Sequence, residues 1–322
     1  MSINWQDYHL KANDSLWQGR NDGPARERFH QIVCLLDPSS IPREIDRFIL
    51  GFASDEGVRR NKGRLGAFQG PEALRKALGG LSSYPNSADL GDLGDIFCKD
   101  GDLEKSQQAL GLLIAKLTAK KMHKKPKLLV IGGGHETAFG HYLGWKGYLK
   151  QEGKKLGIIN VDAHFDLRKV DKPTSGTPFL QILEDAKKEE IFCRYMVLGI
   201  QPASNTATLF TTASNWGVSY IEAQAIFRLQ LAELATRIAE FISSVDEIYL
   251  SICLDAFAMG FAPGVSAPSA LGLLPQHVHF IIEEVKKTEK LMTADIVELA
   301  PALDERLLTQ KLAAGLAAAI LA

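Results

Sequence analysis

The chain has 322 residues, with 37 Lys+Arg against 38 Asp+Glu and a formal net charge of -1. Hydrophobic residues make up 46% and charged residues 23%, an ordinary globular balance that excludes a disordered chain, a collagen-like fibre and a coiled coil. The near-zero charge argues against a general nucleic-acid binder, which carries a basic excess.

In chain order, residues 1–40 read as an irregular segment wrapping the domain surface, with one helix expected at Ala25–Leu36. The opening MSINWQDYHLKAND lacks the apolar core of a signal peptide. From residue 41 to 322 a single domain is expected. Its strands are expected at Arg47–Phe52, Lys127–Gly132, Lys155–Val161, Arg194–Gly199, Val218–Ile221, Glu247–Leu254 and Met292–Val297. Runs such as KLLVIGG, LGIINVD and EIYLSICLD are nearly continuous in apolar residues, the habit of parallel strands covered on both faces. Helical spacing marks Asp102–Lys120, Thr137–Lys150, Leu229–Ser243 and Pro275–Lys287. Gly70-Pro71-Glu72 puts a proline in a first helical turn. The tail KLAAGLAAAILA reads as a buried terminal helix, and no run of about 18 apolar residues suggests a membrane span. The alternation predicts an α/β fold: one doubly wound parallel β-sheet with helices on both faces. Ligands of such sheets gather at the carboxyl ends of the strands.

Four polar clusters fall at those ends. The first is Asn160-Val161-Asp162-Ala163-His164-Phe165-Asp166-Leu167-Arg168. Asp162, His164 and Asp166 alternate, so an extended backbone points them to one side. Two carboxylates and an imidazole form a hard O/N donor set, suited to Mn, Zn or Fe. The bland alternative is a solvated strand end. The second is Gly132-Gly133-Gly134-His135-Glu136, where glycines allow a tight turn or a close ligand approach. It lacks the GK[ST] or GxGxxG pattern of a phosphate loop. The third is Ser251-Ile252-Cys253-Leu254-Asp255, whose cysteine and aspartate face one way by alternation. A free cysteine is most often a small buried hydrophobe. The fourth is Asp295-Ile296-Val297-Glu298, whose strand-end Glu298 is suited to a cationic substrate group. Four strands delivering ligand-type residues to one edge point to an enzyme more than any single motif does. The four cysteines, Cys34, Cys98, Cys193 and Cys253, are too scattered for a disulfide scaffold, which favours a reducing cytoplasm.

GGGHE, NVDAHFD, SICLD and DIVELAP occur in the order and spacing of the ureohydrolases, the arginase–agmatinase superfamily, and the chain resembles that family over residues 45–300. The early GFASDEGVRRNKGRLGAFQGPEALR is similar to the family's glycine-rich signature. Within it, DEGVRRNKGR, HFDLR and SGTPF look most like the formimidoylglutamase branch. That branch hydrolyses N-formimidoyl-L-glutamate to L-glutamate and formamide in histidine degradation.

The resemblance implies an arginase-like α/β/α sandwich, a cofactor of two manganese ions, a small-molecule substrate and a homo-oligomer, with no membrane or nucleic-acid partner. Carried over by position, His135, Asp162 and Asp166 would hold one ion, and His164, Asp162 and Asp255 the other. The family's second bridging carboxylate falls on Cys253, a soft donor where manganese takes hard ones, so the second site is the one in question. Phe179 stands where arginases carry a histidine, and Ala258 where relatives carry an acid; both set the chain apart from arginase and agmatinase. The resemblance further implies attack of metal-activated water on the formimidoyl carbon, with Asp166 as proton donor and Glu298 orienting the cationic group. Arg168, Arg59, Arg60 and Arg64 are the candidate anchors for the substrate carboxylates, with Ser175 and Thr177 as hydroxyl contacts. The rival readings are a ureohydrolase of guanidino substrates, such as guanidinobutyrate, and a metal-poor, non-catalytic paralogue.

Overall fold

A computed structural model describes residues 3–23, 26–83, 88–119 and 126–322. Its strands are β1 (His9–Leu10), β2 (Val33–Leu35), β3 (Arg47–Ala53), β4 (Leu90–Phe97) and β5 (Lys127–Ile131). They continue with β6 (Leu156–Val161), β7 (Cys193–Ile200), β8 (Ser219–Glu222), β9 (Glu247–Cys253) and β10 (Leu291–Val297). All join one sheet in the order β1-β4-β3-β5-β10-β9-β6-β7-β8, with β2 also on β4. Among the described residues every pairing is parallel except β1 with β4. The seven expected strands are present, each end within a residue of its expected place. The doubly wound parallel sheet is therefore the observed fold.

Alternation along the strands feeds two apolar layers. In β5, Leu129 and Ile131 enter one layer, with the helices Gly70–Gly79, Leu231–Ser243, Pro275–Lys286 and Leu308–Leu321. Leu128 and Val130 enter the other, under Leu103–Thr118, Thr137–Gln151 and Pro178–Lys188. Leu308–Leu321 is the terminal helix expected of the alanine-rich tail, with Ala313, Ala314 and Ala317 buried. Pro178–Lys188 and Ala207–Asn215 are helices that the sequence reading did not anticipate.

The N-terminal segment departs from expectation. Of Ala25–Leu36 only Phe29–Ile32 is helical; Ala25 itself lies outside the described residues, as does Lys120 at the end of a second expected helix. Val33–Leu35 is extended and pairs with β4, where Leu36 donates its N–H to Asp92 O at 2.9 Å. An open ladder on β4 outcompetes helix propagation across a β-branched residue.

β4 was not expected because LGDLGDIF interrupts its apolar run with aspartates and glycines. Buried Arg75 resolves the charges: its Nη2 lies 2.9 Å from Asp92 Oδ1 and its Nη1 2.6 Å from Asp95 Oδ1. Trp17 Nε1 adds a hydrogen bond to Asp92 Oδ2 at 2.9 Å. Gly94 has φ 76°, and a Cβ there would lie 2.1 Å from Leu10 O, so β1 can cross only at a glycine.

The neighbours β5, β10, β9 and β6 carry the four polar clusters. Ile131 pairs with Ile296, Val297 with Cys253 and Asn160 with Ser251. This register brings the segments after Ile131, Val161, Cys253 and Val297 to one rim.

Candidate active site

At that rim the clusters meet. His135 Nδ1 lies 3.0 Å from Asp162 Oδ2 and 3.0 Å from Asp166 Oδ2. His164 Nδ1 lies 3.4 Å from Asp162 Oδ1 and 3.2 Å from Asp255 Oδ2. Asp162 thus faces both histidines, one oxygen to each. The donor atoms of His135, Asp162 and Cys253 lie within 4.8 Å of one another, and so do those of Asp162, His164 and Asp255.

Local structure explains the convergence. Gly133 packs so closely on Ser54 that a Cβ would lie 1.7 Å from its carbonyl oxygen. The glycine turn therefore tucks under β3, and Glu136 locks it there by accepting Gly57 N and Ser54 Oγ, both at 2.9 Å. Asn160 Nδ2 donates to Asp162 Oδ2 at 3.0 Å, and His164 N to Asp162 Oδ1 at 2.8 Å. Glu298 Oε1 accepts His135 N at 2.9 Å. Asp166 and Glu298 hold φ at 50° and 70°, a costly left-handed backbone for non-glycine residues that clusters at functional sites.

The site is crowded with acids. Burial works to lower the His135 imidazole, but the hydrogen bonds and charges of Asp162 and Asp166 carry it well above its ordinary value. Burial opposes His164 in the same way, and Asp255 and Asp162 raise it. Asp162 is held well below the usual carboxylate range, against its burial, by His135 and His164. Burial and then the charge of Asp162 push Asp166 and Asp255 up. Burial pushes up Glu298, with Asp255 and Glu136 adding to it, and lifts Glu136 to about 7. The Cys253 thiol is raised first by burial, then by Asp162, Asp255 and Glu298.

Asp255 Oδ1 and Glu298 Oε2 are buried without a hydrogen-bond partner among the described residues. Buried polar atoms normally have partners. A surplus of carboxylates around imidazole nitrogens is what a hard divalent cation neutralises. The residues present therefore fit a metal centre, with Cys253 as the soft member.

The cluster opens into a cavity of about 330 Å³. Arg64, Arg168, Ser175, Lys62 and Asn61 line it with the cluster residues. Arg168 and Lys62 make no side-chain hydrogen bond or ion pair with any described residue. Arg64 binds Ser266 O and Val265 O at 3.0 and 2.7 Å. Ser175 Oγ accepts Asn61 Nδ2 at 3.2 Å. Arg59, Arg60 and Thr177 are not in this lining. Arg59 and Arg60 bind Glu56, and Arg60 also binds Glu104 at 2.9 Å and Pro173 O at 3.2 Å. Thr177 Oγ1 is committed to Thr174 O and Gln181 Oε1 at 2.9 and 2.8 Å. Lys62 was not anticipated from the sequence; the signal available was its place before Gly63 in the RRNKGR run. Phe179 stacks on Tyr195 at 4.5 Å and meets His135 edge-on at 5.1 Å, so an aromatic ring borders the His135 imidazole.

A parallel sheet with this rim of acids and imidazoles is the architecture of the Arginase family: residues 45–322 match it, and the chain belongs to it. Among individual relatives, a formimidoylglutamase of Geobacillus thermodenitrificans is 44% identical over 308 residues, covering 94% of this chain and 93% of that protein. One of Chromobacterium violaceum is 43% identical over 292 residues, with 90% and 91% covered. The formimidoylglutamase structure from Bacillus subtilis shares the fold, with a TM-score of 0.80 at 22% identity and 94% and 93% coverage. So does a Trypanosoma cruzi formiminoglutamase structure with Mn2+, with a TM-score of 0.77 at 24% identity and 92% and 98% coverage. Among the described residues no helix is long and apolar enough to cross a membrane.

Proposed function

We propose that this protein hydrolyses N-formimidoyl-L-glutamate to L-glutamate and formamide. The observation that carries the reading is charge complementarity within one cavity. Lys62 and Arg168, two cations without a side-chain partner among the described residues, line it together with Glu298 Oε2, which also has none there. The substrate has two carboxylates and a cationic, amidine-like formimidoyl group. Charge-assisted hydrogen bonds of this kind are about twice as strong as neutral ones. The names of the relatives at 43–44% identity support the same substrate.

His135, Asp162 and Asp166 would hold one manganese ion and His164, Asp162 and Asp255 a second, with Cys253 beside both sets. Such ions, when bound, lower the pKa of water from 15.7 to about 7, which supplies the nucleophile at neutral pH. The chain's own groups do the rest. Glu298 Oε2 receives an N–H of the formimidoyl group and fixes its carbon over the acids. Arg168 and Lys62 hold the two glutamate carboxylates, with Ser175 as a hydroxyl contact. The Asp166 carboxylate would take the proton given up by the attacking water and pass it to the glutamate nitrogen as the bond between that nitrogen and the formimidoyl carbon breaks. Glu298 fixes the substrate while Asp166 moves the proton, so neither group must do both.

A role in histidine degradation, a place in the reducing cytoplasm, assembly as a homo-oligomer and a functional unit spanning 41–322, with residues 1–40 wrapped on its surface, belong to the same reading. The test is metal analysis of the purified chain combined with a product assay. Formamide and glutamate release from formimidoylglutamate is expected. Urea release from a guanidino compound, without formamide from formimidoylglutamate, would overturn the substrate assignment. A metal-free chain releasing neither product would favour a non-catalytic relative.

A further inference from the structure

Behind His135, on the side away from the cavity, a chain of buried polar groups runs along β9 and β10. His135 Nε2 lies 2.9 Å from Ser251 Oγ. Ser251 Oγ in turn donates to Asp295 Oδ1 at 2.7 Å. A hydroxyl has one hydrogen, so toward His135 it can only accept. Nε2 therefore carries the proton, and Nδ1 is the nitrogen turned to Asp162 and Asp166.

Farther out, Asp295 Oδ2 accepts the Tyr249 hydroxyl and lies 2.9 Å from His141 Nδ1. The other nitrogen of that ring, His141 Nε2, is 2.7 Å from Thr293 Oγ1, which also lies 3.0 Å from Leu128 O. The His141 ring is thus held on both edges, and Asp295 is held by His141, Tyr249 and Ser251.

We infer that Asp295, oriented by His141 and acting through Ser251, is a positioning device that fixes the tautomer and orientation of His135. Ser251, Asp295 and His141 are fully buried, and His135 is 2% exposed. Buried polar groups normally have hydrogen-bond partners, and here each one does. Imidazoles that bind metals commonly have their second nitrogen held in this way, and loss of the outer partner costs about 10- to 100-fold in metal affinity or activity. The effect on metal affinity rests on the reading of His135 as a metal ligand; the hydrogen-bonded chain that fixes its tautomer does not.

The experiment has two arms. In the first, the wild-type chain labelled with ¹⁵N-histidine is examined at pH 8, free of metal, by long-range ¹H–¹⁵N correlation. A proton on His135 Nε2 is expected. A proton absent from His135 Nε2 overturns the inference. In the second, manganese affinity is titrated after chelation for wild type, Ser251→Ala and Asp295→Asn. Each variant should bind about 10- to 100-fold more weakly, with kcat lowered and KM for formimidoylglutamate unchanged once metal is saturating. Wild-type affinity in Ser251→Ala overturns the positioning role. Ser251→Ala removes a single oxygen, so it carries this arm should Asp295→Asn fail to fold. A wild-type chain that takes up no metal defeats the metal reading, while the first arm still decides whether the Ser251–Asp295 chain fixes the His135 tautomer.

Discussion

Asp162 turns one carboxylate oxygen to each of two histidines, Oδ2 at 3.0 Å from His135 and Oδ1 at 3.4 Å from His164. No other described residue faces both rings through separate oxygens. Replacing it should therefore dismantle both halves of the centre. Asp162→Ala is expected to lose bound metal and to lower kcat/KM by roughly a hundredfold or more, since several kcal/mol of stabilisation are withdrawn. Elemental analysis and formamide release check this. A metal-loaded, fully active variant would sink the proposed centre.

How much of this was written in the sequence depends on where each residue's partner lies. β6 and β9 are buried at every position, so their apolar runs announce parallel strands directly. β4 is just as central to its end of the sheet, but its aspartates read as loop until Arg75 is seen beneath them. The residues proposed as ligands were legible because they follow apolar strands directly, but alternation is not what gathers them: Asp162, His164 and Asp166 lie beyond β6 in a bent segment where Asp166 takes φ 50°, and Asp255 sits in a 3-10 turn after β9. The cations were not legible, because five basic residues sit at Arg59, Arg60, Lys62, Arg64 and Arg168, and only their partners separate struts from free charges. Glu56 and Glu104 claim Arg59 and Arg60. Lys62 and Arg168 are left facing the cavity.

That separation predicts different kinetics for the two groups. Arg168→Ala should raise KM for formimidoylglutamate about 10- to 100-fold, the value of a lost charge-assisted hydrogen bond of about 1.5–3 kcal/mol. Lys62→Ala should act in the same direction and less strongly, because an ammonium is a point charge without Arg's paired donors. Steady-state kinetics decide the matter: an unchanged KM in both variants would remove these residues from substrate binding.

Arg60 should instead report on stability and acid tolerance. Glu104 is lowered from its ordinary value of 4.5 chiefly by the hydrogen bond from Arg60. Glu56 is lowered by Arg59 first and Arg60 after it, against its burial. Carboxylates with depressed folded values stabilise the fold above their unfolded value near 4.5, and that stabilisation is lost as pH falls through the folded values. Arg60→Leu should therefore melt below wild type at pH 7, with the gap narrowing toward pH 3. Thermal melts across that range check it. A gap that stays constant would show that the pairing contributes nothing titratable.

Cys253 brings the last prediction. Its sulfur lies within 4.8 Å of donor atoms on both His135 and Asp162. Burial and three neighbouring acids oppose its ionisation, so a thiolate forms there only at a cost that a strongly thiophilic ion offsets and manganese does not. Wild type should accordingly hold one manganese ion per chain tightly and a second weakly. Cys253→Asp supplies a hard oxygen donor at the same strand end, one residue before Leu254 and opposite Val297 in the sheet. The variant should move toward two manganese ions per chain after dialysis, and its preference for manganese over zinc should rise. Metal content by elemental analysis, measured before and after exhaustive dialysis, reads both effects. Equal stoichiometry in the two proteins would mean that the sulfur does not limit loading, and the weak site would then have to be sought among Asp255 and His164.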